Sequence, residues 1–345
     1  MAVASDVAGV HAQIGAAAEL ALAVRADGLK PGHVASLLER RELVKTWAMR
    51  GTLHYFAARD MPLWIAALRA RVPYQRPVWQ RGFNVTLDQM ERLMAAIEKA
   101  LDGGALTREE LDQAVVKLTD GTLRGRLRSG WGELLKPAAY QGLLCFGPPR
   151  GRNVTFVRPD QWVRHWTDST LTTEQALGQI GRRYLHTYGP ASHEHFAAWW
   201  GCTPAEGRRV FRSIEDELTE VDLDGERVSG LSSDLPAIQR ARLPRAHLRL
   251  LGHFDPYKVG VRPRRIFVPD EFYDRVYLKA GWMSPVVLQQ GRAVGTWEAK
   301  KGPRQTAVTV APFASLSQGT LKAVRAEAER LAPFLGGGVI EVRLA

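Results

Sequence analysis

Hydrophobic positions recur with a helical period over 6–26, where Val10, Ile14, Ala17, Ala21 and Val24 share a face and Ser5 is placed to cap. This predicts one helix. A second, short helix is expected over 33–40, after Pro31-Gly32. Residues 43–49 and 52–56 then read as two strands around Arg50-Gly51. Helix, helix, hairpin is the element order of a winged-helix unit.

The order returns twice. Thr107-Arg108-Glu109-Glu110 has capping-box spacing and opens a helix to about Leu118. A helix over 131–140 follows, and strands over 142–146 and 153–157 flank a basic turn. The third copy has helices over 173–188, 192–200 and 204–214, then strands over 218–223 and 227–230 turning on Asp224-Gly225. No sequence repeat accompanies these copies; only the order of elements recurs. The remainder is strand-rich (286–289, 293–298, 306–310) and closes with a helix over 318–335 and a strand over 339–344.

The expected fold class is therefore α+β and mostly helical, with three tandem winged-helix units followed by a strand-rich region bearing a β-hairpin. The expected divisions are 1–85 (first unit with a basic linker), 86–168, 169–243 and 244–345.

Composition narrows the function. In 345 residues, 45% are hydrophobic and 24% charged, which excludes disorder for the bulk of the chain. Cys145 and Cys202 cannot supply a disulfide framework or a four-cysteine zinc site. No stretch reaches the ~20 apolar residues of a membrane helix and no leader is visible, so a soluble, cytoplasmic, nucleoid-associated protein is expected. The net charge of +11 calls for a polyanionic partner. Two segments interleave cations suited to nucleic acid: Arg71, Arg76 and Arg81 with Tyr74, Trp79 and Phe83 between and beside them, and Arg124, Arg126 and Arg128. The turn 299–305 adds Lys300, Lys301 and Arg304 at an expected hairpin tip.

Other chemistries find no motif. His193, His195 and His253 lack a third ligand at a recognisable spacing, so neither metal nor cofactor is expected. Gly336-Gly337-Gly338 has no phosphate-binding helix after it, and no GxSxG occurs. His11-Ala12-Gln13 attracts little notice on its own. Residues two apart on a helix do not share a face, so a paired role would need the helix to begin or bend there.

At this point the chain resembles a known family, the AlkZ-like (YcaQ-type) winged-helix DNA glycosylases. The resemblance rests on Gly9–Gln13 with Ala21–Arg25, on Thr46–Tyr55 with Ala58-Arg59-Asp60, and on Arg182-Arg183-Tyr184, Gly189-Pro190-Ala191 and Ala198–Gly201. Leu250–Tyr257 and Val294–Trp297 carry it into the C-terminal part. It implies three winged helices around duplex DNA, a hairpin in the minor groove, and excision of N7-alkylguanine, including bulky adducts and interstrand crosslinks left by DNA-alkylating natural products. The family's catalytic Gln–aliphatic–Gln falls on His11, Ala12 and Gln13, with His in place of the first Gln.

The resemblance thus implies His11 and Gln13 as catalytic residues of a monofunctional glycosylase without lyase activity. Its partner would be double-stranded DNA carrying alkylated guanine, bound by a monomer. Arg50, Thr52 and His54 in the first wing are candidate DNA contacts, although Arg50 could simply close the hairpin and His54 could be a core histidine. Asp255 could cap a turn before Pro256 or act in catalysis. A winged-helix transcriptional regulator is the rival reading; it would use the same basic faces without His11 or Gln13. A protein that sequesters a DNA-damaging metabolite is a third.

Overall fold

Two consecutive left-handed residues, Ala8 (φ 52°) and Gly9 (φ 95°), break the helix expected over 6–26. In the computed structural model, which describes all residues except 120, 122, 130, 131, 245 and 246, that stretch becomes a short helix Ala2–Asp6, an extended pair Val10–His11 and a helix Gly15–Ala23. The helical spacing was real only beyond Ile14. The chain gathers into two compact units, one of residues 1–5 and 35–180, the other of residues 6–34 and 181–345.

The first unit is organised by a sheet. Leu43–Trp47 and Leu53–Ala57 pair antiparallel as expected, with Lys45 opposite Tyr55. Lys45 also pairs with Phe146, so Cys145–Phe146 and Thr155–Val157 join the same sheet, and Leu106–Thr107 completes its far side. The two hairpins read from the sequence as separate wings therefore lie side by side. Trp47 meets Phe146 at 4.8 Å between ring centroids, and Phe56 meets Trp64 at 4.4 Å, forming an aromatic core beneath the ladder.

Helices flank this sheet. Arg108–Leu118 carries the anticipated box, with the Thr107 hydroxyl accepting from the Glu110 amide. The helix expected over 131–140 is seen as Lys136–Tyr140; its proposed start at Trp131 lies outside the described residues. Met61–Leu68 is a further helix, apolar on nearly every side and thus without a readable period. Leu87–Ala100 is another, signalled by a Thr86/Gln89 capping box and by Met90, Leu93, Met94 and Ile97 on its buried face.

In the second unit the last turns of Thr173–Tyr188 pack with helices His193–Trp200 and Pro204–Arg212 around an aromatic cluster in which Tyr184 and Trp199 lie 5.0 Å apart. The hairpin Leu218–Leu223 with Glu226–Leu231 follows, turning at Asp224-Gly225 as expected. The remaining strands form a five-stranded sheet in the order Val339–Leu344, Gln305–Pro312, Arg292–Lys301, Val286–Gln289, Leu248–Leu251. The first two are parallel, joined through the helix Gln318–Leu331. That helix stops before Pro333, which has no amide to extend it.

The C-terminal hairpin is longer than expected and its turn shorter. Pairing continues to Lys301 opposite Thr306, so Lys300 and Lys301 sit on a strand and only Gly302-Pro303-Arg304 turn. Adjacent strand residues point to opposite faces. The three glycines 336–338 are explained here: all have positive φ, and a Cβ on Gly336 would meet the Lys301 stem at 2.9 Å. They pass the chain closely against the turn end of the hairpin, where a Cβ on Gly338 would meet the Arg304 carbonyl at 3.1 Å.

Candidate active site

The second unit brings the segment around Gln13 to a built site. After the left-handed pair, hydroxyls of Thr187 and Tyr188 donate to the carbonyls of Asp6 and Val7, both at 2.7 Å, and fix the chain's path. Extended backbone then sends Ala12 into the core and leaves Gln13 exposed, while His11 is buried at 7% exposure. The helix starts only after Ile14, whose φ of −116° is extended and whose side chain caps nothing. The condition for His11 and Gln13 to act together, a helix that begins there, is met.

His11 stacks on Phe254, with centroids 4.7 Å apart and planes 20° from parallel. Phe254 is left-handed (φ 52°), an uncommon posture for a bulky residue. What holds it is the next residue. Asp255 is wholly buried and grips the Arg25 guanidinium with two bonds of 2.7 and 2.8 Å. Its Oδ1 also accepts from the Tyr257 amide at 2.9 Å, so the capping reading of Asp255 stands. Burial works against the Arg25 charge, but Asp255 more than offsets it and holds the guanidinium's pKa above its ordinary value. One ion pair thus ties the end of the helix that follows Gln13 to the loop that carries His11's stacking partner.

The helix sits tightly on the sheet. A Cβ at Gly252 would come within 2.9 Å of the Leu20 side chain, which explains glycine in Leu-Gly-His-Phe-Asp-Pro-Tyr. An open cleft of about 630 Å³ follows this contact, lined by Ile14, Ala17, Leu20, His253, Pro285 and Trp297 among others. It is mostly apolar and runs alongside the start of the helix.

Lys258 escaped the sequence reading altogether. It is fully buried, and its ammonium donates to the Ser284 carbonyl at 2.6 Å. Burial lowers its pKa to about 7, with Asp255 pulling the other way. Only its place three residues after Asp255 in an apolar stretch could have drawn attention. Arg25 and Phe254 were visible as parts of the resembling blocks but carried no assigned role.

The remaining candidates divide. Arg50 is exposed in the left-handed region (φ 55°) beside Gly51, so it closes the hairpin and also faces solvent. The Thr52 hydroxyl turns inward to the Met49 carbonyl at 3.0 Å. His54 is 2% exposed, with Nδ1 at 3.1 Å from the Thr52 carbonyl, the placement of a core histidine. Arg71 lies over the Tyr140 ring at 5.2 Å and is half-buried, whereas Arg76 and Arg81 are exposed on and beside the helix Pro77–Phe83. Arg126 is engaged with the Phe83 and Asn84 carbonyls at that helix's end, and Arg128 with Asp112. Lys300, Lys301 and Arg304 are exposed. Among the described residues, no group of three His, Cys, Asp or Glu is arranged to hold a metal, and no helix is long and apolar enough to cross a membrane.

The mixed α+β fold is that of a class of DNA repair enzyme. The family model for "DNA glycosylase AlkZ-like" matches residues 4–334, and the chain belongs to that family of DNA glycosylases. It is 35% identical over 351 residues to an interstrand DNA cross-link repair glycosylase of Streptomyces sahachiroi, covering 99% of this chain and 93% of that one. The solved structure of Streptomyces sahachiroi DNA glycosylase AlkZ superposes with a TM-score of 0.89 at 34% identity, over 99% of this chain and 92% of the other.

Proposed function

We propose that this DNA glycosylase hydrolyses the N-glycosidic bond of N7-alkylguanine in duplex DNA, with His11 and Gln13 at the reacting centre. The observation that carries the reading is the break before the helix: it leaves Gln13 exposed two residues after a buried, stacked His11. Bulky adducts and interstrand crosslinks fall within the same reading, supported by what the S. sahachiroi relative repairs. Self-resistance to a DNA-alkylating compound is the corresponding physiological proposal.

Alkylation at N7 gives guanine a positive charge, so the base leaves as a neutral molecule and needs little acid assistance. As the C1′–N9 bond breaks, its electron pair goes to the base and the sugar acquires oxocarbenium character. The Gln13 amide oxygen accepts a hydrogen bond from a water and orients its oxygen toward C1′. The new C1′–O bond forms, and the water's proton passes to the His11 imidazole or to solvent. An abasic sugar remains and the strand stays intact, since no step uses an amine. Lys258, a buried amine of lowered pKa three residues after Asp255, is sealed from solvent and committed to a carbonyl.

Duplex binding is assigned to Arg50, Arg71, Arg76 and Arg81 in the first unit and to Lys300, Lys301 and Arg304 on the second unit's hairpin, supported by the +11 net charge. The division into three winged-helix units remains part of this proposal; the helix–helix–helix–hairpin order from Thr173 to Leu231 is its best support. The test is release of free base from a duplex with one N7-methylguanine under single-turnover conditions. Gln13→Ala should lower the rate by orders of magnitude and DNA affinity by no more than a few-fold; His11→Ala should act in the same direction, less severely. A wild-type protein that binds duplex but releases no N7-alkylpurine would favour the regulator.

A further inference from the structure

The aromatic run that begins at His11 does not end at Phe254. Trp282 lies 5.3 Å from Phe254 and 6.0 Å from the edge-on His253 ring, and the residue is 48% exposed. Leu278, at the other foot of the same loop, is 46% exposed. The loop between them is built, not slack. Tyr277 and Met283 form an antiparallel bridge at its base, and the Leu278 amide donates to the Trp282 carbonyl at 2.8 Å. At the tip Ala280 (φ 56°) and Gly281 (φ 78°) are both left-handed, a posture that is unfavourable for alanine. The base is pinned to the candidate site: the Tyr277 hydroxyl donates to the Lys258 carbonyl at 3.0 Å, and His253 Nδ1 donates to the Met283 carbonyl at 2.9 Å.

A soluble protein gains nothing in its free state from holding an indole and an isobutyl group in water on a fixed loop. A base step offers what such a loop lacks. The faces of stacked bases are apolar and aromatic, and side chains such as Leu wedge between them at unstacked steps. We propose that the Leu278–Trp282 loop enters the duplex beside the lesion, with Trp282 stacking on a neighbouring base and Leu278 opening the step. This rests on the glycosylase reading above and adds how the modified guanine is exposed. A guanine too bulky to be swung out of the helix can be unstacked in place by this loop, leaving its C1′ open from the groove beside Gln13.

The test uses the full-length protein and duplexes with 2-aminopurine on the 5′ or on the 3′ side of N7-methylguanine on a 2′-fluoro sugar, which resists hydrolysis; the base that Trp282 covers stays quenched, so the rise is read on the other side of the opened step. Wild type should raise 2-aminopurine fluorescence several-fold on binding. Trp282→Ala should abolish most of the rise, Leu278→Ala part of it, and Trp282→Phe should restore it. On the cleavable duplex, Trp282→Ala should slow base release by between about 5-fold and about 150-fold, the range of one base–aromatic stack. Its melting temperature should stay within about 2 °C of wild type, because the ring is a surface group. Full fluorescence rise in Trp282→Ala, or a loss that Trp282→Phe does not rescue, overturns the proposal. So does a Trp282→Ala protein whose self-association changes while its fluorescence rise does not. If wild type gives the rise but never releases base, the catalytic reading fails and this one stands.

Discussion

Replacing Arg25 by methionine is the most direct way to ask whether the ion pair beneath the site matters. The change leaves the Asp255 carboxylate, at 0% exposure, without its hydrogen-bonded cation, and only the Lys258 ammonium, committed to the Ser284 carbonyl, still acts on it. Removing one partner of a buried pair typically costs about 3–5 kcal/mol, because the charge left behind has been taken out of water. Domains have about 5–15 kcal/mol in total, so Arg25→Met should be close to the limit of folding at 37 °C. Asp255→Asn should be milder, at about 1–3 kcal/mol. Asparagine keeps an oxygen for the Tyr257 amide, and the Arg25 side chain retains 23% exposure through which water can reach it. Arg25→Lys keeps the charge without the two-pronged fit and should fall between wild type and Arg25→Met.

The assay is urea denaturation of wild type, both single variants and the double variant Arg25→Met/Asp255→Asn. In the double variant no bare carboxylate remains, so the two losses should fail to add, with a coupling of about 1–3 kcal/mol. Base release supplies a second readout. Arg25 follows the helix that begins just after Gln13, and Asp255 follows the ring on which His11 stacks. Displacement of either by about 1 Å should cost up to about 100-fold in rate, even where the protein remains folded. An Arg25→Met protein within about 1 kcal/mol of wild type would refute the argument, and so would Asp255→Asn proving the costlier of the two.

Lys258 predicts a pH dependence. Its pKa is lowered in the folded state to about 7, so between about pH 7 and the ordinary lysine value near 10.4 the unfolded chain holds more protons, and stability should rise with pH. Lys258→Met, read as the difference from wild type by denaturation at pH 6.5 to about 9.5, should remove that slope, worth on the order of 5 kcal/mol over the whole window; an unchanged difference would mean that the ammonium is better solvated than its burial indicates. Above about pH 10 burial of Tyr277, whose pKa is pushed up to about 12, works in the opposite sense, since its proton is held longer in the folded chain. On the C-terminal hairpin, neutralising Lys300, Lys301 and Arg304 together should flatten the dependence of log K on log salt by about two units instead of three, because adjacent strand residues cannot both face one row of phosphates. No change in slope would return the hairpin tip to the status of a solvated loop.

Much of the fold was written in local signals that need no partner. The capping box at Thr107, the Asp224-Gly225 turn and the strand at Val339–Leu344 all lie where their residues predict. What the sequence hides is where elements go next. The pairing of Lys45 with Phe146 joins two hairpins about a hundred residues apart, and nothing in either strand's alternation announces it. Met61–Leu68 is hidden for a different reason: a helix buried on nearly every side has no polar face to give it a period.

The site shows the same division at closer range. His11 and Gln13 looked like residues on one helix, since Val10, Ile14 and Ala17 keep a helical period across them. Period is a property of side chains, whereas the break is made by backbone. Ala8 and Gly9 are small, so the pattern of hydrophobicity passes over them unchanged while both take left-handed angles. Glycine at position 9 was the available clue; alanine at position 8 gave none. The support beneath was less legible still, because Arg25 and Asp255 stand 230 positions apart and nothing local to either announces the other. The resemblance alone singled out His11 and Gln13, and the fold adds what surrounds them: a helix that starts late, a ring for His11 to stack on, and a buried ion pair that ties the two segments.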